Sequence, residues 1–366
     1  MKRLLCIVGK MNVGGAETFL MKIYRKLDRT QYQMDFAVAA PGKGTYEDEI
    51  IALGGRIHHI TPKSKGPIKN FNSIKKLVRE NHYEYVIRIS QHSLSALELL
   101  AAKAGGAKRC IFRSSNSNTT STSRLNNILH RVCMFMPRQF ADARFAPSTE
   151  AAEFMFGKGC VEKGTAVLLL NAVDLDVYRY DKAAREEIRR EFGIGEQFVV
   201  GHVGRFNAQK NHSFLIDSFE EIMKNIPDAV LILIGKGELE EEIKKKAAEQ
   251  GLRVIFAGVR LDVPRILSAM DVFLFPSLYE GMPNTVIEAQ AAGLPCVIAD
   301  TITREADITG LVTYMSLGAP AEEWAEAVLS QAGRERIDTK EIFVRRKYDI
   351  QSAADEFISL VFRKKG

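Results

Sequence analysis

Short apolar runs alternate along the chain with longer stretches in which apolar residues recur every three or four positions. The first pattern is typical of strands buried on both faces, and the second of helices packed on a sheet. In the first half the predicted strands are RLLCIV, DFAVAA, RIHHI, YVIRIS, RCIFRS and ARFAPS, between helical stretches such as AETFLMKIYRKL and EDEIIALG. This alternation predicts a parallel sheet covered by helices.

A second series begins at Phe198, with the predicted strands FVVGHVG, AVLILIG, RVIFAG, VFLFPS and PCVIAD. Two series in 366 residues predict an α/β protein with two Rossmann-like, doubly wound parallel-sheet domains that face a cleft. We place the boundary in the turn-rich segment NAVDLDVYRYDKAA. The predicted domains are 1–172 and 173–345, and a last helix within 346–366 is expected to cross back to the N-terminal domain.

Charge is divided unevenly between the two halves. Residues 1–172 carry 26 lysines and arginines against 13 acidic residues, whereas the rest of the chain carries 25 against 32. A basic half predicts an anionic partner. The sequence lacks a recognition-helix motif and interleaved basic and aromatic residues, so we do not expect nucleic acid as that partner. An anionic membrane surface or a phosphate-bearing acceptor fits the charge.

Cysteine usage indicates the compartment. The five cysteines are odd in number and form no CxxC pair, which is typical of reduced, buried thiols rather than of disulfides or a zinc site.

The N-terminal run LLCIV is short and has no cleavage site after it, so we interpret it as a strand. No apolar run reaches the length of a membrane span. We predict a cytoplasmic protein, with a peripheral position at the inner face of the plasma membrane as an extension.

Residues 113–127, RSSNSNTTSTSRLNN, are polar and rich in serine and threonine. This composition is typical of a surface loop, and the position between a strand and a helix also suits a lid over an acceptor site. The next stretch has apolar residues at helical spacing, edged by arginines: Leu125, Ile128, Leu129, Val132, Cys133 and Met136, with Arg124, Arg131 and Arg138. We predict a packed helix; the alternative is a basic amphipathic contact with a membrane.

The stretch EGMPNTVIEA frames a helix start with two glutamates, Glu280 and Glu288. Thr285 and Glu288 have the spacing of a capping box, and Pro283 and Asn284 suit the first helical turn. A cap does not account for Glu280 at the end of a buried strand. Ligands of such sheets bind at the carboxyl ends of the strands, and the free N–H groups of a helix start attract anions.

A second candidate stretch, VGHVGRFNAQKNH, follows another predicted strand. Arg205 and Lys210 come after Gly204, where the lack of a side chain lets a ligand approach the backbone. Isolated basic residues on loops are often only solvated. Two of them after a glycine suit a diphosphate, and each charge-assisted hydrogen bond contributes about 1.5–3 kcal/mol.

Linked motifs along the chain resemble those of a known family. GGAETFL, NAVD, VGRFNAQKNH, IGKGEL and VFLFPSLYEGMPNTVIEAQAAGLPCVIAD, with the frame of Glu280 and Glu288, resemble a retaining family-4 glycosyltransferase of the GT-B fold over essentially the whole chain. Within this family the sequence is similar to cytoplasmic enzymes that build capsular polysaccharide or exopolysaccharide.

The resemblance implies a role for each matched residue. The implied donor-diphosphate ligands are Arg205 and Lys210, Glu280 would orient the donor sugar, and Glu288 would bind the ribose hydroxyls. The backbone of Gly204 and of the helix start would contact phosphate and sugar; the residues of the helix start are Met282, Pro283, Asn284 and Thr285. The glycine pair Gly14 and Gly15 would approach from the N-terminal domain. It also implies a nucleotide-sugar donor, expected to be UDP-linked, and transfer with retention, without a metal or other cofactor. The implied acceptor is a glycan or a polyprenyl-pyrophosphate-linked sugar.

Three features of the sequence point elsewhere or depart from the family pattern. DLD at 174–176 resembles a metal motif but falls in the interdomain turn, and IGKGEL lacks the third glycine of a dinucleotide fingerprint. Where relatives have an HxH pattern, this sequence has Arg88 to Ser90 followed by Gln91 and His92, so His92 is the acceptor-side candidate. A second histidine cluster is replaced by RSSN, residues 113–116.

Other functions fit the same architecture. Two glutamates eight residues apart suit a glycosidase acid and nucleophile, but one must stay protonated, and Arg205 and Lys210 nearby favour two ionised carboxylates. A nucleotide-sugar 2-epimerase would convert the donor without an acceptor. A non-catalytic partner subunit would keep the architecture with a vestigial site.

Overall fold

The computed structural model describes residues 1–12, 14–115 and 124–363. The chain divides into two compact units, Met1–Ala172 with Lys347–Gly366, and Val173–Arg346. Unit 1 below denotes the first of these and unit 2 the second. The prediction of two parallel-sheet α/β domains is confirmed, since each unit holds its own parallel sheet.

In its described part, unit 1 contains a seven-stranded sheet of order β3-β2-β1-β4-β5-β6-β7, with every neighbouring pair parallel. The strands are β1 Lys2–Val8, β2 Tyr32–Val38, β3 Ile57–His59, β4 Tyr85–Ser90, β5 Arg109–Ser114, β6 Ala143–Ala146 and β7 Val167–Leu168. The helices that cover it include α1 Gly15–Lys26, α2 Glu47–Ala52, α3 Pro67–Glu80, α4 Leu97–Ala104, α5 Arg124–Val132, α6 Phe135–Phe140 and α7 Thr149–Phe156.

The apolar runs are continuous because both faces of this sheet are buried. Along β1, Leu4 and Cys6 contribute to one apolar cluster, which includes residues of α1. Leu5 and Ile7 contribute to the other cluster, which includes residues of α3 and α4. Successive strand residues point to opposite faces, so a strand covered on both sides has no polar alternation.

The packed-helix prediction for α5 is only partly correct. Cys133, just after the helix, is buried, but Ile128 is 59% exposed and Val132 is 64% exposed. Helical spacing of apolar residues predicts an amphipathic helix without determining which surface covers its apolar face. The serine- and threonine-rich segment before α5, including Asn116, lies largely outside the described residues, which leaves both interpretations of it as predictions.

In its described residues, unit 2 contains a six-stranded parallel sheet of order β10-β9-β8-β11-β12-β13. The strands are β8 Val199–Val203, β9 Val230–Ile234, β10 Val254–Gly258, β11 Val272–Phe275, β12 Cys296–Ala299 and β13 Val312–Met315. The helices are α8 Leu175–Tyr178, α9 Lys182–Glu191, α10 His212–Asn225, α11 Glu240–Glu249, α12 Val263–Ala269, α13 Asn284–Ala291, α14 Ala321–Leu329 and α15 Lys340–Arg345.

The last helix, α16 Ile350–Val361, belongs to unit 1 and packs on α1. The ring of Phe357 meets that of Phe19 edge-on at 6.3 Å between centroids. Beyond the helix, Phe362 packs on Tyr32 and Tyr85 with centroid distances of 4.8 and 4.9 Å. These contacts bury an apolar face that is continuous with the core of unit 1.

The predicted strands coincide with β1 to β6 and β8 to β12, whereas β7 and β13 were not predicted. β7 has only two residues, too few for a periodicity. β13 is half-buried throughout and ends one side of its sheet, so its apolar signal is weaker than that of the central strands. Among the described residues, no helix is long and apolar enough to cross a membrane.

Candidate active site

The predicted donor-binding residues lie at the point where the strand order of the unit 2 sheet reverses. β8 and β11 are neighbours at the centre of the sheet. From β8 the chain continues outward to β9, and from β11 it continues outward to β12 in the opposite direction. The loops that follow β8 and β11 therefore bound the crevice where ligands of doubly wound sheets bind. Arg205 and Lys210 follow β8, and Glu280 follows β11.

Lys210 and Glu280 form an ion pair across these two loops. The Lys210 Nζ atom lies 2.5 Å from Glu280 Oε1, and the two side chains are only 16% and 12% exposed. Gln209 donates from Nε2 to the Tyr279 carbonyl at 2.8 Å and to Glu280 Oε1 at 3.2 Å. The backbone N–H of Leu278 donates to the Gln209 carbonyl at 2.8 Å. The lysine and the carboxylate are thus held in place before any ligand is present.

Local sequence explains how Lys210 reaches this position. The Asn207 side chain accepts a hydrogen bond from the Lys210 N–H at 3.2 Å and caps a short 3₁₀ turn, Ala208–Lys210. Asn211 then adopts a left-handed conformation with φ of 54°, which asparagine tolerates better than most residues, and α10 begins. The Lys210 ammonium also lies 4.4 Å from the centroid of the Phe275 ring, a cation–π contact with β11.

Gly204 is required by close packing at the end of β8. A Cβ atom there would lie 2.7 Å from His202 Nε2 and 3.2 Å from the Lys210 side chain. Gly235, with φ of +143°, approaches from the end of β9, where a Cβ would lie 2.0 Å from the Gly204 carbonyl oxygen. The two strand ends therefore meet backbone to backbone, and a side chain at either position would displace the loop that carries Lys210.

Two buried histidines, one on β8 and one at the start of α10, pack against the loop that carries Lys210. His202 is fully buried and its Nδ1 lies 2.9 Å from the Leu274 carbonyl, while His212 stacks on Phe206 with a centroid distance of 4.2 Å. Burial lowers the pKa of His212 to about 4, with a smaller contribution from the Lys210 charge. Burial likewise lowers the pKa of His202 well below its ordinary value. Both rings are therefore neutral near pH 7.

Arg205 is placed differently from Lys210. Its side chain is 69% exposed and its Nη2 lies 3.1 Å from Glu238 Oε2, on the loop after β9. The backbone N–H of Glu238 and, to a smaller extent, Arg205 hold the pKa of this carboxyl below its ordinary value. Arg205 is thus at the rim of the site, in a surface ion pair that a ligand can replace at small cost.

The capping-box interpretation of EGMPNTVIEA is wrong. α13 begins at Asn284, its N-cap is Pro283, and no side chain caps it. Thr285 is therefore the second residue of the helix and cannot take the N-cap position, and Glu288 lies further along, only 7% exposed. The N–H groups of the first turn receive no side-chain cap, which suits an anion at this end.

Polar atoms without a protein partner occur at the same edge. Asn284 Oδ1 and Ser277 Oγ are both buried and accept or donate no hydrogen bond within the described residues. Buried polar atoms are nearly always paired, so two such atoms beside α13 are consistent with a site that a polar ligand completes. Met282, between them, is 8% exposed. Asn284 and Met282 were predicted from the sequence. Ser277 and Gln209 were not, although both lie within the matched motifs.

The remaining predicted residues lie in unit 1: Gly14 and Gly15 for the donor, and His92 for the acceptor. Gly14 is the N-cap of α1 and Gly15 its first residue, and a Cβ at Gly14 would lie 2.6 Å from Glu17 Oε2. Burial raises the pKa of Glu17. His92 accepts a hydrogen bond from the Leu94 N–H at 3.2 Å and so caps a 3₁₀ turn, Ser93–Ala96. This contact gives His92 a structural role, and its part in acceptor binding stays a prediction.

Arginines stand at the two places where the sequence departs from the histidine pattern expected from the resemblance. Arg88 donates to the Ile7 carbonyl at 2.9 Å. Its Nε lies 2.5 Å from Glu98 Oε2 in an ion pair, but these two atoms do not have the geometry of a hydrogen bond. Arg113 is buried over the Phe19 ring at 3.8 Å and donates to Asn171 Oδ1 at 2.6 Å. Burial lowers the pKa of Arg113 to about 9.

Neither metal ligation nor disulfide formation has a geometric basis in the described residues. Asp174 and Asp176 flank the start of α8, and no group of three or more His, Cys, Asp or Glu side chains in the described ranges has the arrangement of a metal site. All five cysteines are buried, as predicted, and none of them forms a disulfide.

Sequence and structure comparisons place the chain in a family. Residues 197–332 match the family of group 1 glycosyl transferases. Over 362 residues the chain is 33% identical to EpsF of Bacillus subtilis (strain 168), itself named as a candidate glycosyltransferase, and the match covers 96% of this chain and 94% of EpsF. The chain belongs to this family and is a glycosyltransferase.

Two further similarities bear on fold and chemistry. The chain is 28% identical over 242 residues to the UDP-Gal:alpha-D-GlcNAc-diphosphoundecaprenol alpha-1,3-galactosyltransferase of Escherichia coli. This match covers 64% of this chain and 62% of that enzyme. The structure of Anabaena HepE in complex with UDP-glucose superposes with a TM-score of 0.73 at 20% identity, covering 99% of this chain and 96% of HepE. These likenesses agree with the predicted GT-B fold, which is confirmed.

Proposed function

We propose that this glycosyltransferase moves a sugar from a UDP-linked donor to a hydroxyl of a glycan or polyprenyl-pyrophosphate-linked acceptor, with retention of the anomeric configuration. The observation that carries the proposal is the largely buried ion pair of Lys210 and Glu280, whose Nζ and Oε1 atoms are 2.5 Å apart. The pair lies where the strand order of the unit 2 sheet reverses. A cation fixed beside a carboxylate suits a ligand that has both a phosphate and a sugar.

In this proposal Lys210 and Arg205 bind the donor diphosphate. Lys210 is preorganised by Glu280 and Phe275, so little conformational freedom is lost when the phosphate arrives. Arg205 is exposed and exchanges its contact with Glu238 for the phosphate. Gly204 and the uncapped start of α13 allow the diphosphate to approach backbone N–H groups.

The carboxylates bind hydroxyls. Glu280 accepts hydrogen bonds from the donor sugar, and Glu288 accepts from the ribose. A carboxylate can accept from two vicinal hydroxyls at once, which gives both glutamates a role that needs no protonation. Asn284, with an unpaired buried oxygen, and the backbone around Met282 complete the contacts with sugar and phosphate.

The reaction exchanges one bond at the anomeric carbon for another. The bond between the anomeric carbon and the diphosphate oxygen breaks, and the acceptor oxygen bonds to the same face of that carbon. The departing diphosphate takes the acceptor proton. Lys210, Arg205 and the helix start stabilise the charge that develops on the diphosphate, so the protein contributes mainly positioning and electrostatic stabilisation.

The names of the relatives support the substrate classes. The Escherichia coli relative is named for UDP-Gal and a diphosphoundecaprenol-linked acceptor, and HepE was crystallised with UDP-glucose. A role in exopolysaccharide or capsule biosynthesis is part of the same proposal, and the similarity to the glycosyltransferase EpsF is compatible with it. Because these relatives carry transferase names, the epimerase alternative is not favoured.

The test incubates the purified chain with UDP- and GDP-sugars, with and without a polyprenyl-diphosphate-linked sugar acceptor. We expect glycosylated lipid and free UDP only when both substrates are present, and an α-linked product from an α-linked donor by proton NMR. Conversion of the donor alone would indicate an epimerase, and an inverted product would exclude retention. Binding of UDP without any turnover in lipid extracts would support a non-catalytic subunit.

A further inference from the structure

Gln209 is bonded to three consecutive residues of the loop that follows β11. Its backbone carbonyl accepts from the Leu278 N–H at 2.8 Å. Its side-chain Nε2 donates to the Tyr279 carbonyl at 2.8 Å and to Glu280 Oε1 at 3.2 Å. Gln209 itself lies in the loop after β8, 71 residues before Glu280 in the sequence. These three hydrogen bonds therefore join the two loops that bound the crevice of the unit 2 sheet.

The chemistry of the Gln209 side chain suits this place between two acceptors. A terminal amide has two N–H donors on one nitrogen, and here both a carbonyl and a carboxylate oxygen accept from that nitrogen. An apolar side chain of the same length would fill the space and donate to neither acceptor. The position therefore depends on hydrogen-bond donors rather than on volume.

The two oxygens of the Glu280 carboxylate are used differently. Oε1 accepts from Lys210 Nζ at 2.5 Å as well as from Gln209 Nε2. A carboxylate oxygen has about two acceptor positions, so the protein fills those of Oε1. Within the described residues Oε2 accepts no hydrogen bond. Oε2 is therefore the atom that remains to accept from a ligand.

Lys210 by itself would not keep Glu280 in this orientation throughout the proposed reaction. The donor diphosphate is anionic and takes Lys210 as a ligand in the proposed site, so it competes with Glu280 for the ammonium group. Gln209 is uncharged, and both of its acceptors belong to the protein. It keeps its contact with Glu280 when the diphosphate draws on Lys210.

We infer that Gln209 is a positioning residue of the glycosyl transfer, which holds the Glu280 carboxylate so that Oε2 receives the hydroxyls of the donor sugar. The inference rests on the proposed function, because Glu280 is the proposed ligand of that sugar. Gln209 acts through Glu280. Loss of its side-chain donors should therefore disturb the sugar and leave the UDP part of the donor bound as before.

Two variants separate the hydrogen-bond donors of Gln209 from its volume. Gln209→Met removes the donors at nearly constant length, and Gln209→Arg retains N–H donors. Calorimetry measures affinity for UDP and for the UDP-hexose that the parent turns over, and release of UDP measures kcat. For Gln209→Met we expect kcat to fall about tenfold to hundredfold. Its UDP affinity should stay within about twofold of the parent, whereas its UDP-hexose affinity falls further. Gln209→Arg should keep kcat within about fivefold of the parent.

A double-mutant cycle shows whether Gln209 acts through Glu280. In the Glu280→Ala background no carboxylate remains to be positioned. There, Gln209→Met should change kcat and UDP-hexose affinity by less than about twofold. Gln250→Met is the matched control, because Gln250 also donates from Nε2 to a carboxylate of unit 2, Asp217 Oδ1, at 3.3 Å. The control variant should match the parent in kcat and in both affinities.

Three results would overturn the inference. One is parental kcat in Gln209→Met, and another is an equal fold-loss from Gln209→Met with and without the Glu280 carboxylate. The third is a loss of UDP affinity as large as the loss of UDP-hexose affinity, which would mean that Gln209 supports the whole loop. The parent tests the proposed function separately. A parent that transfers no sugar contradicts that function, whereas an active parent matched by Gln209→Met contradicts only the role of Gln209.

Discussion

Near the carboxyl edge of the unit 1 sheet, Arg88 and Lys63 both approach the Glu98 carboxylate, at 2.5 and 3.2 Å, and Glu98 is only 4% exposed. At the corresponding edge of the unit 2 sheet, Lys210 and Glu280 are also 2.5 Å apart. There, buried oxygens of Ser277 and Asn284 have no hydrogen-bond partner within the described residues, whereas the buried atoms of the unit 1 edge that make no hydrogen bond, Arg88 Nε and Glu98 Oε2, face each other as an ion pair.

The two edges share a topology and differ in the groups that their charged side chains contact. In unit 1, Arg88 also donates to the Ile7 carbonyl, and Lys63 to Ser95 Oγ at 3.2 Å, so the charges stabilise the sheet edge itself. In unit 2 the cations stand beside an uncapped helix start and orphaned oxygens. Equal topology therefore does not imply equal function, which depends on the side chains that each edge leaves available.

The largest expected effect concerns the unit 1 edge. Glu98→Gln should lower the free energy of unfolding by about 3–5 kcal/mol, because Arg88 and Lys63 then keep buried or half-buried charges without their carboxylate. Chemical denaturation measures the loss, and binding of UDP to the folded variant should be unchanged. Glu84→Gln is the matched control, since Glu84 pairs with Lys108 on the surface. It should cost less than about 1 kcal/mol.

If Glu98→Gln left stability unchanged and weakened acceptor use instead, the unit 1 edge would have to be reassigned from a structural to a binding role. The double variant Arg88→Met with Glu98→Leu sharpens the comparison. It removes both charges of the closest pair, so it should be less destabilising than Glu98→Gln.

The second effect concerns the unit 2 edge. Lys210→Ala should lower kcat about 10²–10³-fold, because a fixed cation that stabilises the leaving diphosphate is lost. Steady-state release of UDP measures it. Lys236→Ala is the control: Lys236 is an exposed lysine that follows the neighbouring strand, and its removal should leave kcat unchanged. Full activity of Lys210→Ala would remove the basis for the proposed donor site.

The smallest effect concerns the histidines beneath Lys210. The pKa of His212 is about 4 in the folded chain and near 6.5 for an ordinary histidine, so the unfolded chain binds more protons below about pH 6.5. Stability should therefore be constant above neutrality and fall by up to about 3 kcal/mol as the pH drops from about 6.5 to 4. Denaturation curves at several pH values measure this loss.

His212→Phe should remove the contribution of His212 to this pH dependence, leaving that of His202, while retaining the stacking on Phe206. The exposed His59 provides the control, and His59→Gln should leave the pH dependence as in the parent. A parental pH profile in His212→Phe would show that other groups cause the acid sensitivity, with fully buried His202 the first to examine.

The sequence by itself determined the fold class and the location of the motifs. Buried strands and amphipathic helices have periods that are visible over a few residues, so the central strands were predicted and only the short β7 and the edge strand β13 were missed. Pro283 and Asn284 likewise predicted where α13 starts. These are local signals, and each is contained in one stretch of chain.

The tertiary structure alone decided the contacts. Lys210 and Glu280 are 70 residues apart in sequence and meet because β8 and β11 are neighbours in the sheet. Thr285 and Glu288 have the spacing of a capping box, but the helix begins two residues too early for Thr285 to cap it. The apolar face of α5 is exposed because His130 attaches the opposite face to unit 1. Pairing, capping and burial depend on which elements pack together, and that is not encoded in any single local pattern.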